Sequence, residues 1–416
     1  MASSNHSRRL LIIAPPGSYR LAPYLQAAKK LNLIPLIASV SEFALLPRGC
    51  EGIHINLNQP DQALQKILEL AKEKPFIGIL GTDDTTIELA SDVAAKLNLP
   101  HNPASASRLT QRKDLAREHL FKAGANIPWH KKIHIHDDIT QHTDIPYPVV
   151  VKPLNLSASR GVIRANNANE LQQAIAKILP IIQDTYDDEA KEHVLIEHYI
   201  QGVEIALEGL LNNNELTTLA VFDKPDPLEG PYFEETYYIT PSRLPTTTLT
   251  ACQQAVLKCC QAYGLTTGPI HAECRIDENN KPWILEVAAR TIGGDCGQSL
   301  KPSADYSLEE LVISYAIGEP IKPEPQQHSS GVLMIPVPKA GILKRVEGLT
   351  EARNTKHITS LTIDIPNGNE VNCLPESSSY LGFIFAEADT PEEVEQALRQ
   401  SHDKLEFIIN PVWVIN

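Results

Sequence analysis

The chain has 416 residues, 42% hydrophobic and 21% charged, a balance that suits a globular protein in water and a length that exceeds one ordinary core, so two or three packed units are expected. A formal net charge of −14 argues against a nucleic acid or an anionic membrane surface as the main partner, because both select for basic patches. An anionic ligand therefore needs a locally positive pocket.

Residues 10–14 form a continuous apolar run stopped by Pro15-Pro16-Gly17. The run is too short for a signal segment and predicts a buried parallel strand, followed by a helix over 24–31 and a second strand over 33–38. A helix over 61–74, a strand over 76–80, the turn Gly81-Thr82-Asp83-Asp84 and a helix over 87–97 continue the alternation of an α/β unit with a parallel sheet. The Asp83-Asp84 pair reads as a helix cap near the positive end of the dipole rather than as ligands. No Gly-x-Gly-x-x-Gly follows the first strand, so the dinucleotide fingerprint is missing.

After a linker over 100–103, residues 105–123 predict one helix whose Arg112, Lys113 and Arg117 form a solvated basic face. The strand over 147–153 ends in Lys152, which has to be paired if buried, and a phosphate is a candidate. Ser157, Ser159 and Gly161 follow in a loop of small residues whose backbone N–H groups can turn toward an anion. A helix over 170–179 precedes a strand over 194–200, a short turn and a second strand to 211. There the backbone past Glu197, at Tyr199 and Ile200, is placed to meet a purine edge, and Glu204 to accept from ribose hydroxyls; a simple hairpin is the alternative. Residues 230–241, aromatic and acidic, predict a substrate-side loop in which Glu235 either holds a substrate ammonium or is merely solvated.

A helix over 250–263, ended by Gly264, leads to a predicted hairpin with strands over 270–276 and 283–288. Period-two alternation puts His271, Glu273 and Arg275 on one face of the first strand, and Ile284, Glu286 and Ala288 on one face of the second. Glu273 and Glu286 then lie near each other and repel unless a cation sits between them. Hard oxygen donors of this kind suit Mg²⁺. Arg290 adds a positive fork, and Gly293-Gly294 a backbone that can approach an anion closely. An exposed hairpin with solvated acids is the plainer reading. The seven cysteines, with no Cys-x-x-Cys pair and no zinc-like spacing, predict reduced thiols and a cytoplasmic protein. No segment approaches a membrane span.

Lys113, the Val-Val-Lys152-Pro strand with its Ser/Gly loop, Ile-Glu197-His-Tyr-Ile with Glu204, and Glu273 and Glu286 with Arg290 follow an order that resembles the ATP-grasp superfamily of carboxylate-amine ligases. The resemblance implies an α/β fold: an N-terminal parallel-sheet domain over 1–104, a two-lobed α+β ATP-grasp domain over 105–318 and a small C-terminal α+β subdomain over 319–416. It implies that Lys113 and Lys152 contact ATP phosphates, that Ser157 to Gly161 form a mobile phosphate loop, that Glu197 to Ile200 hold adenine and that Glu204 holds ribose. Glu273 and Glu286 are the implied ligands of Mg²⁺ or Mn²⁺, and Arg290 steadies the acyl phosphate, with Gly293 and Gly294 beside the substrate. The family's usual asparagine two residues after the second glutamate is Ala288 here, which puts one metal ligand in doubt. Gly-Pro-x-His271-x-Glu273 with Glu-x-x-x-Arg290-x-x-Gly-Gly-Asp295 is most similar to the amino-acid ligases that make dipeptides. The implied reaction joins a small carboxylate to a small amine through an acyl phosphate. His271 either orients substrate or takes a proton, or is a buried histidine without a catalytic part. Rival readings are a biotin carboxylase-like or purine-pathway reaction and a nucleotide-binding module without turnover. Pairing as a homodimer through the first or last domain is compatible with this architecture.

Overall fold

The computed structural model describes residues 8–40 and 50–412, apart from positions 184, 186, 304, 325 and 378. Its first four strands, β1 Arg9–Ile13, β2 Ile34–Ser39, β3 Glu51–His54 and β4 Gly78–Gly81, form a parallel sheet in the order β3-β2-β1-β4. Leu10, Leu11, Ile12 and Ile13 are all fully buried, as a strand covered on both faces requires. The helices Leu21–Lys30 and Pro60–Glu73 between its strands, and Asp84–Lys96 after β4, match the expected alternation.

The single helix expected over 105–123 is two helices, Ala104–Leu109 and Lys113–Lys122. Arg112 between them is extended (φ −105°, ψ 101°), and the Lys113 N–H donates to the Leu154 carbonyl at 2.9 Å. The supposed solvated basic face is buried: Arg112 pairs with Asp114, Asp187 and Glu189, and Arg117 with Glu197. Local propensity contains no breaker at this point. The break comes from tertiary pairing, which propensity does not register.

Strands β5 His130–His134, β6 Val149–Pro153, β7 Ile163–Ala165 and β8 His193–His198 make a small antiparallel sheet, order β5-β8-β6-β7, packed on helix Ala168–Ile182. The chain then crosses into a second sheet at Tyr199–Gly202. Strand β9 Val203–Asn212 joins β10 Glu215–Lys224, β11 Tyr237–Thr240, β12 Thr267–Ile276 and β13 Pro282–Ala288. The hairpin alternative for 194–211 is thereby excluded, since β8 and β9 belong to different sheets. The 230–241 segment is only partly loop, because Tyr237–Thr240 form β11.

Strands β14 Ser329–Ile335, β15 Gly341–Glu347, β16 Ile358–Ile363, β17 Glu370–Val371, β18 Gly382–Ala388 and β19 Glu406–Asn410 complete the chain. Of these, β14, β18 and β16 extend the antiparallel central sheet to β13-β12-β9-β10-β11-β14-β18-β16, so it continues across residue 318. Strand β18 is followed by helix Pro391–His402, and helix Leu308–Ala316 packs on Leu21–Lys30 and β4. Among the described residues no helix is long and apolar enough to cross a membrane.

The crossing between the two sheets depends on Gly202, whose φ of +141° is unfavourable for any side chain and whose Cβ would collide with the Ile276 carbonyl. Gly202→Ala is expected to cost about 1–3 kcal/mol, read as a lower urea midpoint at unchanged slope.

Candidate active site

A cavity of about 710 Å³ opens between the two antiparallel sheets, lined by side chains from both of them, from the loops and helix start that follow β1 and β4, and from the C-terminal region. On its small-sheet side Glu197 is buried between two cations, Arg117 Nε at 2.6 Å and Lys152 Nζ at 2.6 Å. Burial would raise its carboxyl, but Arg117 and Lys152 outweigh this and hold it at about 2. Burial pulls the Lys152 ammonium down despite Glu197. The partner required at the strand end is thus already present within the fold. Lys113 reaches the cavity from the first turn of its helix, where Nζ lies 3.2 Å from Glu286 and donates to the Leu156 carbonyl at 2.9 Å.

Ser157 and Ser159 line the cavity, with Ala158 and Ser159 in left-handed conformation (φ +54° and +55°). Gly161 stands away from it, its N–H donating at 3.3 Å to the Pro375 carbonyl of the C-terminal region. Tyr199 and Ile200 line the cavity at the crossing. The Tyr199 N–H donates to Pro148 at 3.0 Å and the Ile200 carbonyl accepts from Arg275 at 2.9 Å. The Arg164 and Arg275 guanidiniums lie 4.2 and 4.8 Å from the Tyr199 ring centroid.

Across the cavity the register sets Glu273 of β12 directly opposite Glu286 of β13. The expected parity of the second strand fails at one point: a bulge at Leu285 pairs Ile284 with Cys274, so Ile284 packs into the core instead of sharing Glu286's face. Ala288 is fully buried opposite His271 and does not line the cavity.

Each of the two acids already meets a protein cation, Glu286 meeting Lys113 and Glu273 meeting Lys224, a lysine that the sequence reading did not single out. Its buried Nζ lies 2.8 Å from Glu204, 2.5 Å from Glu235 and 3.0 Å from Glu273. Carboxylate oxygens of these three glutamates lie within 4.8 Å of one another, a donor set of the kind that holds a metal. Glu235 is therefore no solvated loop residue; burial and the charge of Glu273 push it up to about 7 even with Lys224 beside it. Glu204 is held by Arg275 Nε at 2.9 Å as well as by Lys224.

His271 lines the cavity between two acids. Nδ1 lies 2.5 Å from Glu208, and Nε2 lies 3.6 Å from Glu273. Burial would lower the imidazole, yet Glu208 and then Glu273 push it up to about 9. Glu208, which also accepts from the Ile292 N–H at 3.1 Å, was missed. It follows Glu204 at four residues on β9, so period-two alternation already placed it on the same face.

Arg290 is fixed by the N-terminal sheet, its Nε 2.9 Å from Asp84. Asp83 is the helix cap as expected, in a capping box with Thr86, but Asp84 is more than part of a cap. Burial would raise its carboxyl, and Arg290 and Lys113 hold it below the ordinary range. Gly293 and Gly294 line the same corner, with the Gly294 N–H donating to the Tyr19 hydroxyl at 2.9 Å. Of the residues expected at the site, all but Gly161 therefore line one cavity.

Residues 145–299 match the ATP-grasp domain family, and residues 333–410 match the family described as L-amino acid ligase C-terminal domain 2. The crystal structure of an L-amino acid ligase from Bacillus licheniformis superposes with a TM-score of 0.81 at 25% identity, covering 98% of this chain and 100% of that one. Alanine–anticapsin ligase of Bacillus subtilis is 22% identical over 74% of each chain, and D-alanine–D-alanine ligase of Gloeobacter violaceus 28% identical over 52% of this chain and 72% of its own. The chain thus carries an ATP-grasp domain and is an ATP-dependent ligase that forms carbon–nitrogen bonds. Residues 333–410 add the C-terminal domain described for L-amino acid ligases.

Glu197→Gln leaves Arg117 and Lys152 buried without a counter-charge and is expected to cost about 3–5 kcal/mol in urea unfolding. Because the folded carboxyl is lowered from 4.5 to about 2, the contribution of Glu197 is complete above pH 4.5 and disappears as the pH falls toward 2. The gap between wild type and variant should therefore narrow over that interval.

Proposed function

We propose that the protein joins the carboxylate of an amino acid or related acid to the amine of a second small molecule, through an acyl phosphate, with release of ADP and phosphate. The observation that carries this reading is the convergence of Lys113, Lys152, Glu273, Glu286 and Arg290 on one cavity. Nucleotide binding alone would not call for the paired acids together with the arginine.

In the first step a carboxylate oxygen of the acid attacks the γ-phosphorus of ATP, the bond from γ-phosphorus to the bridging oxygen breaks, and ADP leaves. Lys113 and Lys152 neutralise charge on the phosphates, and Arg290, held in place by Asp84, steadies the acyl phosphate. Tyr199 and Ile200, at the crossing between the sheets, would hold the nucleotide's purine. In the second step the amine nitrogen attacks the acyl carbon, the bond from that carbon to the bridging oxygen breaks, and phosphate leaves with the former carboxylate oxygen and takes up the proton that the nitrogen loses. Glu273 and Glu286 fit a divalent cation by their chemistry, as hard oxygen donors facing each other across the hairpin. Mg²⁺ bound there supplies further neutralisation of phosphoryl charge. The acyl phosphate must be kept from water, and the 157–161 loop, which reaches the C-terminal region at Pro375, is placed to cover it.

The test is ADP and phosphate release from Mg²⁺ and ATP against single and paired amino acids, with mass spectrometry of the products. Release that needs two substrates and yields their condensation product supports the reading; release with bicarbonate or a purine precursor overturns it. Glu286→Gln and Arg290→Lys should each lower kcat by about 10²–10³ with little change in the thermal midpoint. Turnover close to wild type in either variant removes that residue from the site. Chelation with EDTA should abolish turnover, and Mg²⁺ or Mn²⁺ should restore it.

A further inference from the structure

Beside Arg290 the cavity has a second positive corner that phosphoryl transfer leaves unused. It is formed by Tyr19 and Arg20, which enter helix Leu21–Lys30 from β1 and line the cavity with Gly293, Gly294 and Asp295. The Arg20 side chain is 10% exposed. Asp83 takes Nη1 at 2.6 Å, the Ile292 carbonyl is 3.3 Å from Nη2, and Nε is buried without a hydrogen-bond partner. Nε and Nη2 make up one edge of the guanidinium, the kind of edge that meets a carboxylate through two parallel bonds. A buried donor left without an acceptor is costly, so Nε, beside an Nη2 that already donates to the Ile292 carbonyl, is the donor that an acceptor in this corner would satisfy.

Two neighbours fit the same ligand. The Tyr19 hydroxyl accepts from the Gly294 N–H, which leaves its own hydrogen to donate. Burial pushes that hydroxyl up while Arg20 and Arg290 oppose the effect, so both guanidiniums act on one oxygen. A Cβ at Gly293 would come within 3.3 Å of the Tyr19 hydroxyl and 3.4 Å of Arg20 Nη2, so glycine keeps the corner open. The other cations of the cavity have tasks: the ligase reading assigns Lys113 and Lys152 to the phosphates and Arg290 to the acyl phosphate, and Arg275 is locked to Glu204 and the Ile200 carbonyl.

We propose that Arg20 and Tyr19 form the subsite for a carboxylate on the amine substrate, which makes that substrate an amino acid rather than a simple amine. This rests on the ligase reading above. The experiment compares kcat/KM for an α-amino acid acceptor and for its uncharged carboxamide in wild type, Arg20→Lys and Tyr19→Phe. Arg20→Lys keeps a cation beside Asp83 but loses the two-pronged edge. The preference for the amino acid over the carboxamide should fall about ten- to a hundredfold, mainly through KM, and Tyr19→Phe should shift it the same way by less. Should Arg20→Lys fail to fold, Tyr19→Phe alters only the tip of a partly exposed ring and carries the same comparison. Equal losses for both acceptors, or a wild type that uses the carboxamide as well as the amino acid, overturn the subsite and leave the ligase standing. A wild type that condenses no acceptor overturns both.

Discussion

Carboxylates brought together in a partly desolvated cleft cannot all remain charged without cations among them, and much of this site follows from that constraint. Glu204, Glu208, Glu235, Glu273 and Glu286 crowd one region of the central sheet and its edge. Lys224 stands among three of them, His271 between two, and Lys113 beside Glu286. The acids and cations hold each other in place before any ligand arrives. Side chains fixed in this way lose little freedom when substrate binds, which is what preorganised charge stabilisation requires.

The same economy operates between elements far apart in sequence. Asp84 at the start of a helix in the N-terminal sheet fixes Arg290, which follows β13, and Asp83 next to it fixes Arg20. Two adjacent acids thus aim two arginines at one corner of the cavity. Glu197 does the corresponding work on the small-sheet side, where it locks Arg117 and Lys152. The charges that line the cavity are set by ion pairs that join elements across the fold, so the cavity and the interface between its parts are one structure.

Local pattern was enough to find the elements whose signal is local. The apolar run at 10–14 and its alternation with helices were legible because a strand buried on both faces needs such a run. The facing of Glu273 and Glu286 was legible because period two and a short turn set it. Ile284 escaped because a bulge adds a residue to one strand, which changes parity without any mark in composition. The break at Arg112 escaped because its cause lies in Asp187, Glu189 and Leu154, all distant in the chain.

What the sequence determined by itself was the order of chemical groups: lysine, lysine, hydroxyl loop, acid, acid, arginine, at spacings that strands and turns can present. Only the tertiary structure decided which charges meet. Lys224 reads as an ordinary lysine at a strand end, and Arg20 as an ordinary arginine before a helix. Their importance comes from partners 11 to 272 residues away. Coulomb and hydrogen-bond energies depend on distance in space and on burial, and neither quantity is written along the chain.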